Sequence, residues 1–131
     1  MKDIRNTKQR EEVLNAVKTL CNHPCAEDVY NCVLENNPNI SKGTVYRNLN
    51  LLSELEEISK IQMPGNEPDR FDVRIDEHNH AYCRVCKSLF DIDLDDSLKV
   101  NKTIEESGFK VEKSQLILTG ICKKCLDKEK E

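Results

Sequence analysis

Residues 78–86 read HNHAYCRVC, two histidines and two cysteines within nine positions. All four side chains are of types that bind metal, and whether they serve one ion or two decides what the chain is built around. Cys83 and Cys86 are matched by a second C-x-x-C pair, Cys122 and Cys125, with 35 residues between. Four soft thiolates paired in this way suit a closed tetrahedral zinc site. The interval holds a strand, a helix and another strand, so zinc there would clasp the beginning of a lobe to its end. The competing readings are two redox dithiols or unconnected buried cysteines. A thioredoxin-type dithiol needs a helix start after a strand in a βαβ setting, and two such motifs in one small lobe are better explained as ligands. On an extended strand His78 and His80 point to the same side and Cys83 to the other, which favours a second ion. Asp91 and Asp93, sharing a face on the next strand, and Asp72 upstream are candidate carboxylates for it. His23, the remaining histidine, lies in an NHP segment between two helices, where spacing alone favours an ordinary surface residue.

Composition sets the frame for these sites. With 131 residues, 37% hydrophobic and only 5% aromatic, the chain builds one domain or two small ones whose modest cores benefit from a metal staple. No apolar run reaches the roughly 20 residues of a membrane span, and the charged start MKDIRNTKQR is not followed by an apolar signal-peptide core. A soluble cytoplasmic protein with no membrane partner is expected. The odd cysteine count and the two C-x-x-C pairs favour thiolates on metal over disulfides. The net charge of −4 divides evenly at Ile75, with 10 basic and 12 acidic residues on each side. Bulk charge thus gives no support to nucleic-acid binding, although residues 41–53 contain Lys42 and Arg47 and no acid.

Periodicity predicts three short helices: one from Thr7 through Leu20, one over 26–36, and one capped by Ser41 with Val45, Leu49, Leu52 and Leu55 facing inward. Short joints between them predict a helix-turn-helix. The strands EISKIQM (57–63) and RFDVRI (70–75), joined by PGNEP, read as a hairpin behind it, the wing of a winged helix. Beyond a polar hinge come strands near 80–83 and 88–93, a helix near 95–107, an alternating strand over 109–122, and a frayed tail at 126–131. The predicted class is α+β: a winged helix-turn-helix domain over residues 1–74 and a small α/β domain with structural zinc over 75–131.

HPCAEDVYNCV (23–33), SKGTVYRNLNLLSE (41–54), RFD (70–72), HNHAYCRVCKSLFDI (78–92) and GICKKC (120–125) together resemble the ferric uptake regulator (Fur) family of bacterial metal-dependent repressors. The resemblance spans nearly the whole chain, in the family's order and spacing. It implies that the second domain dimerises and holds zinc through Cys83, Cys86, Cys122 and Cys125. It also implies a regulatory metal on His23, Asp72, His78, His80 and Asp91, so that the opening stretch serves two ions. Three imidazoles and two carboxylates, intermediate in hardness, support five-coordinate Fe(II) or Mn(II), with selectivity left to geometry and availability. The peroxide-sensing branch resembles the chain most, because its members have Asp at the position of Asp91. That likeness implies Fe(II)-dependent oxidation of His23 or His78, with Mn(II) as a peroxide-insensitive corepressor. An iron-responsive uptake repressor is the alternative.

For DNA, the third helix would enter the major groove. Arg47 would donate to guanine, Tyr46 would meet a phosphate or thymine methyl, and Lys42 and Thr44 would contact phosphates. A homodimer implies a palindromic double-stranded operator. Neither H-E-x-x-H nor the deaminase H-x-E signature is present, so no catalytic residues are expected and the chain is not read as an enzyme. Three departures stand out: a short start lacking a helix that many relatives carry, Cys25 where threonine or serine is common, and its neighbours Cys21 and Cys32, read as buried or capping thiols.

Overall fold

The computed structural model describes residues 4–75, 79–92, 101–112 and 115–129. They fall into two compact units, Met1–Ile75 and Asp76–Glu131.

The first unit is the predicted winged helix: α1 (Ile4–Leu20), α2 (Ala26–Leu34), α3 (Lys42–Glu54), β1 (Ser59–Ile61) and β2 (Arg70–Asp72). The helical stripes meet in one core. Val13 and Val17 of α1, Val29 and Val33 of α2, and Val45, Leu49 and Leu52 of α3 are buried with Ile40, Ile58 and Phe71. Each such side chain contributes about 1.5–3 kcal/mol by leaving water. Ser41 caps α3 by accepting from the Thr44 N–H at 3.1 Å. Helix α1 begins at Ile4, so Thr7 lies within it and does not cap it. Leu55 is 49% exposed rather than inward, because α3 ends at Glu54 and the chain reverses through Glu56 at φ 59°. The wing strands are shorter than predicted and pair antiparallel, Ser59 with Asp72 and Ile61 with Arg70. Gly65, at φ 65°, makes the turn between them.

In the second unit β3 (Asn79–Cys83), β4 (Leu89–Ile92) and β5 (Ile117–Gly120) form a sheet in the order β4-β3-β5. A hairpin joins β3 to β4 antiparallel, and β5 returns parallel to β3, which requires a long crossover. α4 (Asn101–Glu106) lies in that crossover; the rest of the helix predicted over 95–107 lies mainly outside the described residues. Among the described residues of the strand predicted over 109–122, which leave out 113 and 114, four are strand, since a strand persists only where a neighbour supplies hydrogen bonds and β3 is five residues long. Of the tail predicted to fray, residues 130–131 lie outside the described residues and 126–129 are helical, as part of α5 (Lys123–Glu129). Its first turn is closed by the Leu126 N–H donating to the Cys122 carbonyl at 2.9 Å, and it buries Cys125. Among the described residues, no helix is long and apolar enough to cross a membrane.

Candidate metal centres

Sheet register brings the two cysteine pairs together. Cys83 ends β3 level with Gly120 of β5, so Cys122 follows two residues past the same sheet edge. Lys87, at φ 65°, tightens the first knuckle, with its N–H on the Cys83 carbonyl at 2.9 Å. The four sulfurs of Cys83, Cys86, Cys122 and Cys125 lie within 4.8 Å of one another. Cys83 to Cys125 and Cys86 to Cys122 are each 3.8 Å. A tetrahedron with Zn–S bonds of about 2.3 Å has S···S edges of about 3.8 Å, so the donor set fits zinc in both geometry and softness. The Cys83 sulfur accepts the N–H groups of Cys86 and Cys122, each at 3.4 Å. Those two donors, Cys122 first, bring its thiol down to about 6. Burial and the neighbouring sulfurs push Cys125 up to about 12. Clustered thiolates repel one another in this way, and a bound divalent cation removes the conflict.

The described histidines, His23 and His80, each pair with a carboxylate, one pair in each unit. In the first unit the segment between α1 and α2 lies against β2: the Phe71 N–H donates to the Pro24 carbonyl at 2.8 Å, and Cys25 bridges antiparallel to Arg70. Continuing that register two residues puts His23 opposite Asp72, with Nε2 3.4 Å from Oδ2. Cys21 and His23 both hold left-handed backbone, φ 57° and 55°, which costs about 1–2 kcal/mol per non-glycine residue. That strain turns the chain sharply enough to aim the imidazole at the wing. In the second unit His80 of β3 pairs directly with Asp91 of β4, and Nε2 lies 3.2 Å from Oδ1. His80 is buried at 3% exposure and Asp91 remains at the surface. The β3–β4 register thus sets Asp91 opposite His80. His78 and Asp93 lie outside the described residues.

On α3, Gly43, Tyr46, Arg47 and Asn50 form an exposed face opposite Val45, Leu49 and Leu52. Arg47 Nη2 donates to Thr44 Oγ1 at 3.1 Å, and that hydroxyl lies 2.9 Å from the Ser41 hydroxyl. Lys42 is held differently: its ammonium is 3.1 Å from the Glu27 carboxylate and 5.6 Å from the centre of the Tyr30 ring. The hydrogen bond to Glu27 raises the Lys42 pKa above the usual lysine value. Cys25 begins α2 with its N–H on the Asp28 carboxylate at 3.1 Å and its thiol 3.3 Å from the same group, while burial pushes that thiol up. Cys21 bonds back to the Lys18 carbonyl and Cys32 packs against the helical core.

Residues 1–119 match the family profile described as "Ferric uptake regulator family". The chain belongs to that family. Among Fur-family relatives, the peroxide operon regulator of Bacillus subtilis is 32% identical over 127 residues, covering 96% of this chain and 87% of the relative. The ferric uptake regulation protein of the same organism is 37% identical over 131 residues, covering 95% and 87%. Among solved structures, the peroxide stress regulator of Campylobacter jejuni superposes with a TM-score of 0.76 at 29% identity over 93% of this chain and 92% of that one. The chain is therefore a Fur-family metal-responsive regulator, with peroxide regulators among its near relatives. Asn50, not singled out in the sequence, stands three and four residues beyond Arg47 and Tyr46, the spacing that puts all three on one exposed face.

Proposed function

We propose that this chain is a homodimeric, metal-dependent transcriptional repressor that reports hydrogen peroxide through Fe(II)-dependent oxidation of a ligand histidine, with Mn(II) as the peroxide-insensitive corepressor. The observation that carries the reading is the presence of two imidazole–carboxylate pairs, His23–Asp72 and His80–Asp91, at 3.4 Å and 3.2 Å. Each pair offers one nitrogen and one oxygen, and neither closes a coordination sphere alone. Together with His78 they make the five-donor set of intermediate hardness that suits Fe(II) or Mn(II). An ion that needs donors from both units favours the arrangement in which both reach it, and that difference in affinity is available to shift the population toward DNA binding. Fe(II), when bound, would supply the one-electron couple that breaks the O–O bond of hydrogen peroxide, while the electrons of the net change come from the imidazole, so the iron ends as it began. The net change adds one peroxide oxygen to a ring carbon of His23 or His78 and releases the other as water, leaving the chain with a weaker donor. Asp91 and the likeness to peroxide regulators support this branch. The 37% identity to a ferric uptake regulator supports an iron-responsive repressor as the second reading. Operator binding by Fe(II)- and Mn(II)-loaded protein, before and after peroxide, separates the two.

The structural zinc belongs to Cys83, Cys86, Cys122 and Cys125, whose closed four-sulfur geometry keeps it out of the sensing chemistry. For DNA, α3 presents Tyr46 and Arg47 to the major groove. Arg47 exchanges its bond with Thr44 for a guanine edge, Thr44 meets a phosphate, and Lys42 reaches a phosphate only by leaving Glu27. Arg47→Ala is expected to weaken specific binding by about 1–3 kcal/mol while both metals stay bound. Titrating it against its best site and against scrambled DNA checks this, since an equal loss on both would make Arg47 a phosphate contact.

Dimerisation draws on the second unit. Phe90 and Leu118 flank Ala81 in register across the three strands and are 44% and 49% exposed. An apolar row of this kind suits burial against the same row of a second copy, which makes the operator palindromic. Leu118→Asp is expected to weaken the dimer by roughly 2 kcal/mol or more, visible as a monomer in light scattering at concentrations where the parent chain is dimeric.

A further inference from the structure

The exposed face of α3 ends at Asn50, and the wing reaches over to it: Lys60 Nζ of β1 donates to Asn50 Oδ1 at 2.8 Å. An ammonium has donors and no acceptor, so the amide atom it meets must be the oxygen, which fixes the orientation of the side-chain amide. Both side chains are exposed. They line, with Tyr46 and Phe71, a cavity of about 430 Å³ between helix and wing.

We propose that Lys60 sets the base preference of Asn50, engaging its amide oxygen so that the NH₂ leads toward DNA and one operator position is read as a keto base. A free asparagine reads adenine with both ends of its amide, accepting from N6 and donating to N7. The oxygen keeps a second lone pair, but the Lys60 ammonium beside it disfavours an approaching adenine N6 amino group, so the residue reads the base chiefly as a donor. Guanine, through O6 and N7, and thymine, through O4, accept such a donor; adenine accepts only at N7, beside an N6 amino group that the ammonium disfavours, and cytosine offers only its N4 amino group. The wing thereby tunes readout by the helix without itself touching a base. This rests on the assignment of α3 as the DNA-reading element.

The test uses the full chain with Mn(II), as parent, Asn50→Ala and Lys60→Met. The parent first selects its site from a random duplex pool, and all three are then titrated on that site with each of the four bases at every position. Because both positions are exposed, the melting temperatures of the variants should match the parent's. The parent is expected to favour guanine or thymine by about fivefold at one position. Asn50→Ala flattens that position alone. Lys60→Met moves the preference there toward adenine and leaves the other positions as they were. A Lys60→Met profile identical to the parent's, or one lowered evenly on every sequence as a lost phosphate contact would give, overturns the proposal while α3 keeps its role. A parent that selects no sequence overturns the reading role of α3, and this proposal with it.

Discussion

A Cys122→Ser variant is expected to purify without zinc, to lose the cooperative melting of its second unit and to fail to dimerise. Cys122 does two things in the cluster: its sulfur stands 3.8 Å from that of Cys86, and its N–H donates to the Cys83 sulfur. It also begins the turn that carries Cys125, since its carbonyl accepts the Leu126 N–H. Three sulfurs cannot close a tetrahedral site, and structural zinc in small domains carries about 10–16 kcal/mol of apparent binding free energy that is also folding free energy. The second unit has little else to replace that, because its buried side chains among the described residues are few: His80, Tyr82, Cys83, Leu89 and Cys125. With the clasp gone, nothing of comparable strength holds β5 parallel to β3, and the Phe90–Ala81–Leu118 row that rests on this pairing is lost too. Zinc release to a chromogenic chelator, thermal melting and light scattering measure the three losses. Cys32→Ser, which alters a thiol packed against the winged-helix core, should keep its zinc. A folded, zinc-free dimer from Cys122→Ser would reject the clasp.

Peroxide treatment of the Fe(II)-loaded chain is expected to lower operator affinity by roughly 5- to 150-fold, the usual span of coupling between a ligand site and a distant function. The Mn(II)-loaded chain should be unaffected. Peptide mass spectrometry after brief exposure should find one added oxygen on His23 or His78, with Cys83 and Cys122 still on zinc. Asp91→Glu separates closure from chemistry. It keeps the charge and the donor atoms but moves the carboxylate by a methylene beside His80, so repression should persist while the reactive geometry, and with it peroxide sensitivity, is lost. Oxidation confined to cysteines would reject the histidine route and turn attention to Cys21, Cys25 and Cys32. A chain that ignores peroxide and responds to iron alone would establish the iron-uptake reading.

The helical stripes of the first unit were legible because a 3.6-residue period admits one buried face, and Val13, Val17, Val29, Val33, Val45, Leu49 and Leu52 occupy it as the spacing demands. Strand lengths were not legible. Alternation over 109–122 describes what a strand would look like if a partner were present, and β3 offers one for only four residues. Leu55 misled for a similar reason, since its place in the stripe says nothing of where the helix stops. The tail looked solvated from its charge, yet Cys125 has to turn back toward Cys83, and a helix is the conformation that brings it there.

By itself the sequence determined the two cysteine knuckles and the strand parity that sets His80 apart from Cys83, because residue spacing and strand alternation are local properties of the chain. Tertiary structure alone decided which carboxylate His23 and His80 each meet. Asp91 faces His80 through the β3–β4 register, and Asp72 faces His23 because two left-handed residues and a two-residue bridge lay the helix joint along the wing. The same holds for the link from Lys60 to Asn50 across ten residues. Such partnerships depend on hydrogen-bond register and backbone reversal between segments distant in the chain, which no local period encodes.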